Sequence, residues 1–230
     1  MTTDHPLNTL LMEANSAPLD GDTLSRFDTY LELLLRWNAR TNLTAIRTAD
    51  GILRRHFLES ILAARALPAG IGTLLDFGSG AGFPGLPIAL CRMEIAVTLA
   101  ESQNKKAAFL REATRTLGLS VAVHAARAET LPARFDCVTL RAVDRMEQAI
   151  AAAVSLVVPG GWLAVLTTGN QAAAARAAAD TAASATVAPT PDGSNGTVSH
   201  KSIYGILWNP EIQLLKPTSE LLLLGQTVFA

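Results

Sequence analysis

The sequence predicts an α/β protein in which a mostly parallel sheet follows an N-terminal helical segment. Three features of its 230 residues predict this fold. Residues 1–70 show helical periodicity with almost no strand signal. From Thr73 onward, short apolar runs alternate with helical segments, which is typical of a parallel sheet with crossover helices. A glycine-rich turn follows the first apolar run. We therefore expect a helical cap over residues 1–70 and a sheet domain over residues 71–230, packed as one compact unit.

Apolar residues of the N-terminal segment recur three and four positions apart, as on one face of a helix. We predict one helix that begins at Asp22 as N-cap and leads to Trp37, and a second from about Asp50 to just before Pro68. Between residues 36 and 65 this segment is rich in arginine and carries only two acids, Asp50 and Glu59.

The sheet domain is predicted to contain seven strands. Five of them form the alternating part, at residues 73–77, 96–100, 121–125, 135–140 and 163–167. The helices between and after them are expected at residues 84–92, 104–117, 144–156 and 171–183. Two apolar runs near the end, at residues 212–215 and 220–224, predict a closing antiparallel pair of strands.

The glycine-rich turn is the first candidate for a functional site. Gly78, Gly80 and Gly82 occupy alternate positions directly after the predicted first strand. Glycine can adopt positive φ and lets a ligand approach the bare backbone. The N–H groups at the start of the following helix favour a polar or negatively charged ligand group. A tight turn without any ligand is the alternative interpretation.

The glycine spacing leaves two cofactor classes open. The dinucleotide fingerprint is Gly-x-Gly-x-x-Gly, whereas the third glycine comes one residue early here. Gly85 follows Gly82 at the dinucleotide spacing, so NAD is not excluded. Asp76 inside the strand and Glu101 at the end of the next strand favour the other class. A carboxylate at that strand end typically binds ribose hydroxyls, and the whole pattern resembles the S-adenosylmethionine site of Rossmann-like methyltransferases.

Composition excludes several other classes of protein. Nearly half of the chain, 49%, is apolar, which is ample for a core, and the net charge of −1 gives no general argument for nucleic-acid binding. Cys91 and Cys137 do not indicate a disulfide framework. The N-terminus lacks signal-peptide features, and the longest apolar run, at residues 149–158, is too short for a bilayer. We therefore expect a cytoplasmic protein. We also expect a monomer, and no metal site, because no second histidine or cysteine stands at metal-ligand spacing.

Several segments together resemble one family, the small-subunit (16S) ribosomal RNA guanine-N7 methyltransferases. They occur in the family's order between about residues 30 and 170. The most specific is the pair of Gly-x-Pro steps after the glycine turn. The matching segments are Trp37-Asn38, Asn42-Leu43-Thr44, Arg55-His56-Phe57-Leu58-Glu59-Ser60, Asp76 to Pro87, Glu101-Ser102 through Lys105-Lys106 to Phe109-Leu110, Ala128-Glu129, Phe135-Asp136 and Arg141-Ala142.

The resemblance implies a Rossmann-like class I methyltransferase fold with S-adenosylmethionine as cofactor. Carried over by position, the resemblance implies cofactor contacts at Gly78, Phe83, Glu101, Ala128, Glu129 and Arg141. Gly80 of the glycine turn is a further candidate for cofactor contact. Arg141 ends the predicted fourth strand, at the edge of the sheet where such folds bind ligands. The alternative for this arginine is a surface ion pair with Asp144.

The implied partner is small-subunit ribosomal RNA, either naked or as a ribonucleoprotein. Arg54, Arg55 and His56 are candidates for RNA contact because arginine pairs well with phosphate oxygens. A solvated helix face is the alternative for the two arginines, and His56 is more typical of an orienting or core residue than of a base. The chain departs from the family at Thr168-Gly169-Asn170, where a lysine-glycine pair is usual, and in its C-terminal tail.

The chemistry implied by the resemblance requires no acid–base pair. Guanine N7 carries a lone pair and no proton, so catalysis would come mainly from alignment of nucleophile, methyl carbon and sulfur. No catalytic residue is therefore assigned. Three alternatives remain open: a small-molecule methyltransferase, an NAD-dependent oxidoreductase, and a non-catalytic RNA-binding module that retains a cofactor pocket.

Overall fold

The computed structural model describes residues 4–142, 145–167, 169–185 and 220–224. These residues form eight α-helices, six strands, a π-helix and a single 3₁₀ turn. The N-terminal elements are α1 (Pro6–Glu13), α2 (Gly21–Asn38), α3 (Ala49–Ile52), the π-helix (Leu53–Leu58) and α4 (Glu59–Ala66). The remaining elements are β1 (Thr73–Phe77), α5 (Gly85–Cys91), β2 (Ala96–Ala100), α6 (Asn104–Thr116), β3 (Ala122–His124), the 3₁₀ turn (Ala128–Thr130), β4 (Phe135–Arg141), α7 (Met146–Ser155), β5 (Val157–Thr167), α8 (Gly169–Ala185) and β6 (Glu220–Leu224).

The six strands form one sheet with the order β3-β2-β1-β4-β5-β6. All neighbouring pairs are parallel except β5 and β6, which are antiparallel. This confirms the predicted α/β class and the antiparallel last strand. Of the seven predicted strands, the one at residues 212–215 lies outside the described residues. The strand order reverses between β1 and β4, so their carboxyl ends flank the crevice where open α/β sheets bind ligands.

The start of α2 differs from the predicted one. The N-cap is Asp20 rather than Asp22, because the Asp20 carboxylate accepts a hydrogen bond of 2.9 Å from the backbone N–H of Thr23. Asp22 lies in the first turn of the helix, where its charge still complements the positive end of the helix dipole. The sequence interpretation also missed α1, which is short and has His5 as its N-cap.

β5 is longer than predicted at its N-terminal end. It begins at Val157, whereas residues 159–161, Pro-Gly-Gly, favoured a turn before the strand. Phe135 instead pairs with Val157, and the register shifts before Cys137 pairs with Trp162. A Cβ on Gly161 would lie 2.8 Å from the Asp136 carbonyl oxygen, so glycine lets the irregular start of β5 lie against β4.

Two buried clusters cover the two faces of the sheet. Because side chains alternate along a strand, Leu74 belongs to the cluster that includes residues of α1, α2 and α4, while Leu75 belongs to the cluster that includes residues of α7 and α8. Both leucines are fully buried. The first cluster contains Tyr30 and Phe57 from the N-terminal helices together with Leu86 of α5. The helical segment and the sheet therefore share one hydrophobic core.

Candidate active site

The turn between β1 and α5 requires glycine for two different structural reasons, one at Gly80 and another at Gly82. Gly78, Gly80 and Gly82 all have positive φ, at 72°, 58° and 94°. A Cβ on Gly80 would have open space, since the nearest atom is the Gly78 carbonyl oxygen at 3.9 Å. A Cβ on Gly82 would lie 2.5 Å from Leu86 Cδ1 and 2.7 Å from Tyr30 Oη. Gly80 therefore borders free space, whereas Gly82 is required by packing.

Asp76 fixes the turn from inside the sheet. Its carboxylate is buried and accepts hydrogen bonds from the Gly85 backbone N–H at 3.1 Å and from Thr139 Oγ1 at 2.8 Å. Burial raises the pKa of Asp76 to about 6, and the hydrogen bonds from Thr139 and Gly85 oppose that rise. A Cβ on Gly85 would lie 2.7 Å from this carboxylate, which explains the fourth glycine of the motif.

Glu101 closes the other side of the turn. It follows β2, and its carboxylate accepts the backbone N–H of Gly80 at 2.9 Å and that of Gln103 at 2.7 Å. The residue is 6% exposed. A carboxylate offers about four acceptor positions, so two remain for another donor pair. The predicted residues Gly80 and Glu101 are therefore in direct contact, and their arrangement fits a ribose diol beside an open stretch of backbone.

Ala128 and Glu129 form the 3₁₀ turn after β3, on the strand next to β2. Ala128 is buried, and Glu129 accepts a hydrogen bond of 2.7 Å from Arg127. This bond lowers the pKa of Glu129. The turn lies at the same edge of the sheet as the glycine turn and Glu101, because β1, β2 and β3 are parallel. That placement fits the predicted contact with the adenine end of the cofactor.

Arg141, at the end of β4, lies in a hydrogen-bond network that the sequence interpretation did not name. Its guanidinium donates to Glu59 Oε2 at 2.8 Å, to His56 Nδ1 at 2.9 Å and to the Arg55 carbonyl oxygen. Its side chain is 14% exposed. Burial lowers the pKa of Arg141, and the neighbouring Glu59 opposes that effect. Asp144, the partner in the alternative interpretation, lies outside the described residues, and the observed partners of Arg141 form a largely buried network.

Phe83 belongs to an aromatic cluster behind the turn. Its ring stacks on His56 with centroids 4.6 Å apart and on Tyr30 at 5.4 Å, and the Arg141 guanidinium lies 5.8 Å from its centroid. Phe83 is 6% exposed. The ring therefore serves mainly to pack the N-terminal helices against the turn, so any cofactor contact of Phe83 is confined to the little surface that stays open.

The three predicted RNA-binding residues lie on the π-helix but not in one environment. Arg54 and Arg55 are about half exposed and pair with Asp50 at 3.0 Å and Glu59 at 3.3 Å. His56 is directed inward, between Thr44 and Arg141. Burial, reinforced by the charge of Arg141, lowers the pKa of His56 to about 3. The His56 ring is therefore neutral and unsuited to bind phosphate.

Several residues that organise the site had no assigned role in the sequence interpretation. Tyr30 is fully buried, and its hydroxyl donates to the Ala81 carbonyl oxygen at 2.5 Å. Asn38 and Thr44 hydrogen-bond each other beside His56. The resembling segments did include Asn38, Thr44 and Glu59, so their positions were marked although their function was not. No sequence pattern pointed to Tyr30.

The sheet order, the glycine turn and the strand-end carboxylate define a Rossmann-like methyltransferase. Residues 23–190 match the family described as rRNA small subunit methyltransferase G. The chain belongs to this family and is an S-adenosylmethionine-dependent methyltransferase. The sequence-based recognition is thereby confirmed, and the NAD-dependent oxidoreductase is set aside.

Curated relatives agree with the family assignment. The Ribosomal RNA small subunit methyltransferase G of Xanthomonas campestris is 45% identical over 148 residues, covering 63% of this chain and 69% of the relative. That of Halorhodospira halophila is 45% identical over 150 residues, covering 64% and 71%. Among solved structures, a SAM-dependent O-methyltransferase from Thermotoga maritima aligns with a TM-score of 0.48 and 18% identity, covering 64% of this chain and 55% of that one.

Two features are absent from the residues that the structure describes. Within them, no cluster of three or more His, Cys, Asp or Glu side chains could hold a metal ion. No helix in the same part of the chain is long and apolar enough to cross a membrane.

Proposed function

We propose that this protein transfers the methyl group of S-adenosylmethionine to N7 of a guanine in 16S ribosomal RNA. The observation that supports it best is the family match over residues 23–190, together with a turn in which Gly80 is open and Glu101 is fixed beside it. S-adenosylmethionine supplies an electrophilic methyl group when bound. The chain's own task is to hold this group in line with a base that needs no deprotonation.

The cofactor site consists of residues at the carboxyl ends of four neighbouring strands. Gly78 and Gly80 supply bare backbone for the methionine part, and Glu101 keeps acceptor positions for the ribose hydroxyls. Ala128 and Glu129 lie where the adenine edge would be. Phe83 and Arg141 complete the side formed by the N-terminal helices. Because all these residues lie at the same edge of the sheet, they support a single elongated binding site.

RNA binds on the side of the N-terminal helices. Arg54 and Arg55 are half exposed on the π-helix, and the Arg55 carbonyl contacts Arg141 at the cofactor site. This places two half-exposed cations next to the site of methyl transfer, where phosphates can displace their carboxylate partners. His56 is left out of the RNA surface because its ring is partly buried, neutral and bonded to Thr44 and Arg141. The protein acts as a cytoplasmic monomer on a structured or ribonucleoprotein form of the RNA.

The decisive experiment is methyl transfer from labelled S-adenosylmethionine to small ribosomal subunits and to naked 16S RNA. Borohydride reduction followed by aniline cleaves the strand at N7-methylguanine and identifies the base. We expect cleavage at a guanine, with the assembled particle as the better substrate. Methylation at another base refutes the N7 assignment, and methylation of a small molecule alone refutes the RNA substrate. Cofactor and RNA binding without methyl transfer would identify a non-catalytic RNA-binding module.

The arginine surface has its own test. The double change Arg54→Ala and Arg55→Ala should weaken RNA binding and lower the slope of log K against log salt concentration by about 2, one for each lost phosphate contact. The Kd for S-adenosylhomocysteine should stay the same. Arg134→Ala is the control. Arg134 is exposed and directly precedes β4, so it lies at the amino ends of the parallel strands, away from the cofactor site. An equal loss in the control variant would contradict a localised RNA surface.

A further inference from the structure

The hydrogen-bond acceptors of the Arg141 guanidinium all belong to the N-terminal segment. The guanidinium donates hydrogen bonds to Glu59 Oε2 at 2.8 Å and to His56 Nδ1 at 2.9 Å. The Arg55 carbonyl oxygen is the third acceptor. All three come from the π-helix and the first residue of α4. An arginine side chain has five N–H donors. Among the described residues, two of the five N–H groups of Arg141 therefore have no protein acceptor.

The orientation of the His56 ring is fully determined by its neighbours. Arginine can only donate, so Nδ1 of His56 must accept, and the ring proton resides on Nε2. Nε2 then donates to Thr44 Oγ1 at 2.8 Å. Stacking on Phe83, with centroids 4.6 Å apart, fixes the plane of the ring. The low pKa of His56 agrees with this neutral tautomer.

Thr44 is held in turn by the end of α2. Its backbone N–H donates to Asn38 Oδ1 at 3.0 Å, and the Asn38 amide donates to the Ile46 carbonyl oxygen at 3.2 Å. Asn38 is 3% exposed. A continuous chain of hydrogen bonds therefore runs from α2 through the loop after it and the π-helix to the end of β4.

We propose that His56 is a positioning residue that acts through Arg141, with Thr44 and Glu59 as its supports. The network keeps the two remaining N–H donors of Arg141 in one orientation at the carboxyl edge of the sheet, where they serve the bound cofactor. This inference rests on the proposed cofactor contact of Arg141. It gives Asn38, Thr44, His56 and Glu59, which are not cofactor contacts themselves, the role of orienting Arg141.

A double-mutant cycle on S-adenosylhomocysteine binding tests the coupling, measured by calorimetry on the full chain. Arg141→Met should raise the Kd about tenfold and His56→Leu about fivefold. In the Arg141→Met background, His56→Leu should add less than about twofold, because residues that act as a unit are not additive. His56→Asn should stay within about twofold of wild type, since its Oδ1 replaces Nδ1 as an acceptor for Arg141.

Thr44→Val keeps the shape of the side chain and removes the acceptor for His56 Nε2 and for the Ile46 backbone N–H. It should raise the Kd about threefold in wild type and leave it unchanged in Arg141→Met. Ile150→Val, in the core on the opposite face of the sheet, is the control for a general loss of stability. Melting temperatures of all variants identify those that remain folded, and Ile150→Val should not change the Kd.

Independent effects of His56→Leu and Arg141→Met would overturn the proposal, as would an unchanged Kd in folded His56→Leu or in Arg141→Met. These outcomes are distinguishable from failure of the proposed function. A wild-type protein that binds S-adenosylhomocysteine but does not methylate 16S RNA refutes the substrate and leaves the cycle interpretable. A wild-type protein that does not bind S-adenosylhomocysteine refutes both the cofactor site and the role of His56.

Discussion

Alanine substitutions in the glycine turn should separate ligand binding from folding, and Gly80→Ala is the informative one. At φ of 58° an alanine adopts the left-handed conformation at a cost of about 1–2 kcal/mol. No overpacking adds to this cost, because the nearest atom to the new Cβ lies at 3.9 Å. The methyl group instead enters the open space that the cofactor needs. We expect a folded protein with a Kd for S-adenosylhomocysteine raised at least about tenfold, or about 1.4 kcal/mol.

Gly82→Ala is the matched comparison in the same turn. Its Cβ would lie 2.5 Å from Leu86 Cδ1 and 2.7 Å from Tyr30 Oη, at a φ of 94°. Overpacking of about 1–3 kcal/mol adds to backbone strain of about 1–2 kcal/mol, for a total of about 2–5 kcal/mol. The change also threatens the Tyr30 hydrogen bond to the Ala81 carbonyl. Gly82→Ala should therefore lose stability first and affinity only as a consequence.

Urea denaturation with and without S-adenosylhomocysteine measures both effects in one assay. At a ligand concentration of 100 Kd, binding stabilises the wild-type protein by about 2.7 kcal/mol. A tenfold weaker Kd in Gly80→Ala reduces this ligand-dependent stabilisation to about 1.4 kcal/mol. The reasoning is refuted if ligand stabilises Gly80→Ala as much as wild type. It is refuted equally if Gly82→Ala unfolds less readily than Gly80→Ala in the absence of ligand.

Two further variants test the carboxylates on either side of the turn. Glu101→Gln turns an amide NH₂ group toward the backbone N–H of Gly80 or Gln103. The variant should therefore lose about 1–2 kcal/mol of stability and bind S-adenosylhomocysteine about fivefold more weakly. An unchanged Kd would remove Glu101 from the cofactor site. For Asp76, the folded-state pKa of about 6 exceeds the ordinary value of 3.8, so the folded protein binds the proton more tightly. Stability from this group is present below pH 3.8 and is lost as the pH rises to about 6, by about 3 kcal/mol in total. Denaturation curves between pH 4 and pH 7 should show this slope in wild type, and a slope that persists in Asp76→Asn would contradict it.

Strand positions were predictable where a continuous apolar run is bounded by strong breakers. β1 and β2 have the predicted ends: Gly72 and Gly78 flank β1, and Glu101 follows β2. The start of β5 was not predictable, because Pro159, Gly160 and Gly161 are typical of a turn in isolation. Only the neighbouring strand shows why they belong to the sheet: the pairing of Phe135 with Val157 extends β5 backwards across an irregular register.

The site was predictable where its residues are close in the chain or end neighbouring strands. Gly80 and Glu101 meet because β1 and β2 are adjacent and parallel, a consequence of the strand pattern. The partner of Arg141 was not predictable in this way, since Glu59 lies 82 positions away in a segment without strands. The surroundings of His56 were not predictable for the same reason, because they depend on the distant Phe83 ring and on Arg141. Long-range packing of helices leaves no local pattern in a single sequence.

The shared core changes how the role of the N-terminal helices can be tested. Removing residues 1–65 would distinguish an RNA methyltransferase from a small-molecule one only if the rest of the chain stayed folded. The structure argues against such independence. Tyr30 is fully buried against the glycine turn and bonds to Ala81, and Phe57 stacks on Tyr30 with centroids 5.1 Å apart. The deletion would also remove Glu59, the charged partner of Arg141. Loss of activity in that truncation would therefore report loss of the cofactor site, whereas surface changes such as Arg54→Ala leave the core intact and address RNA binding alone.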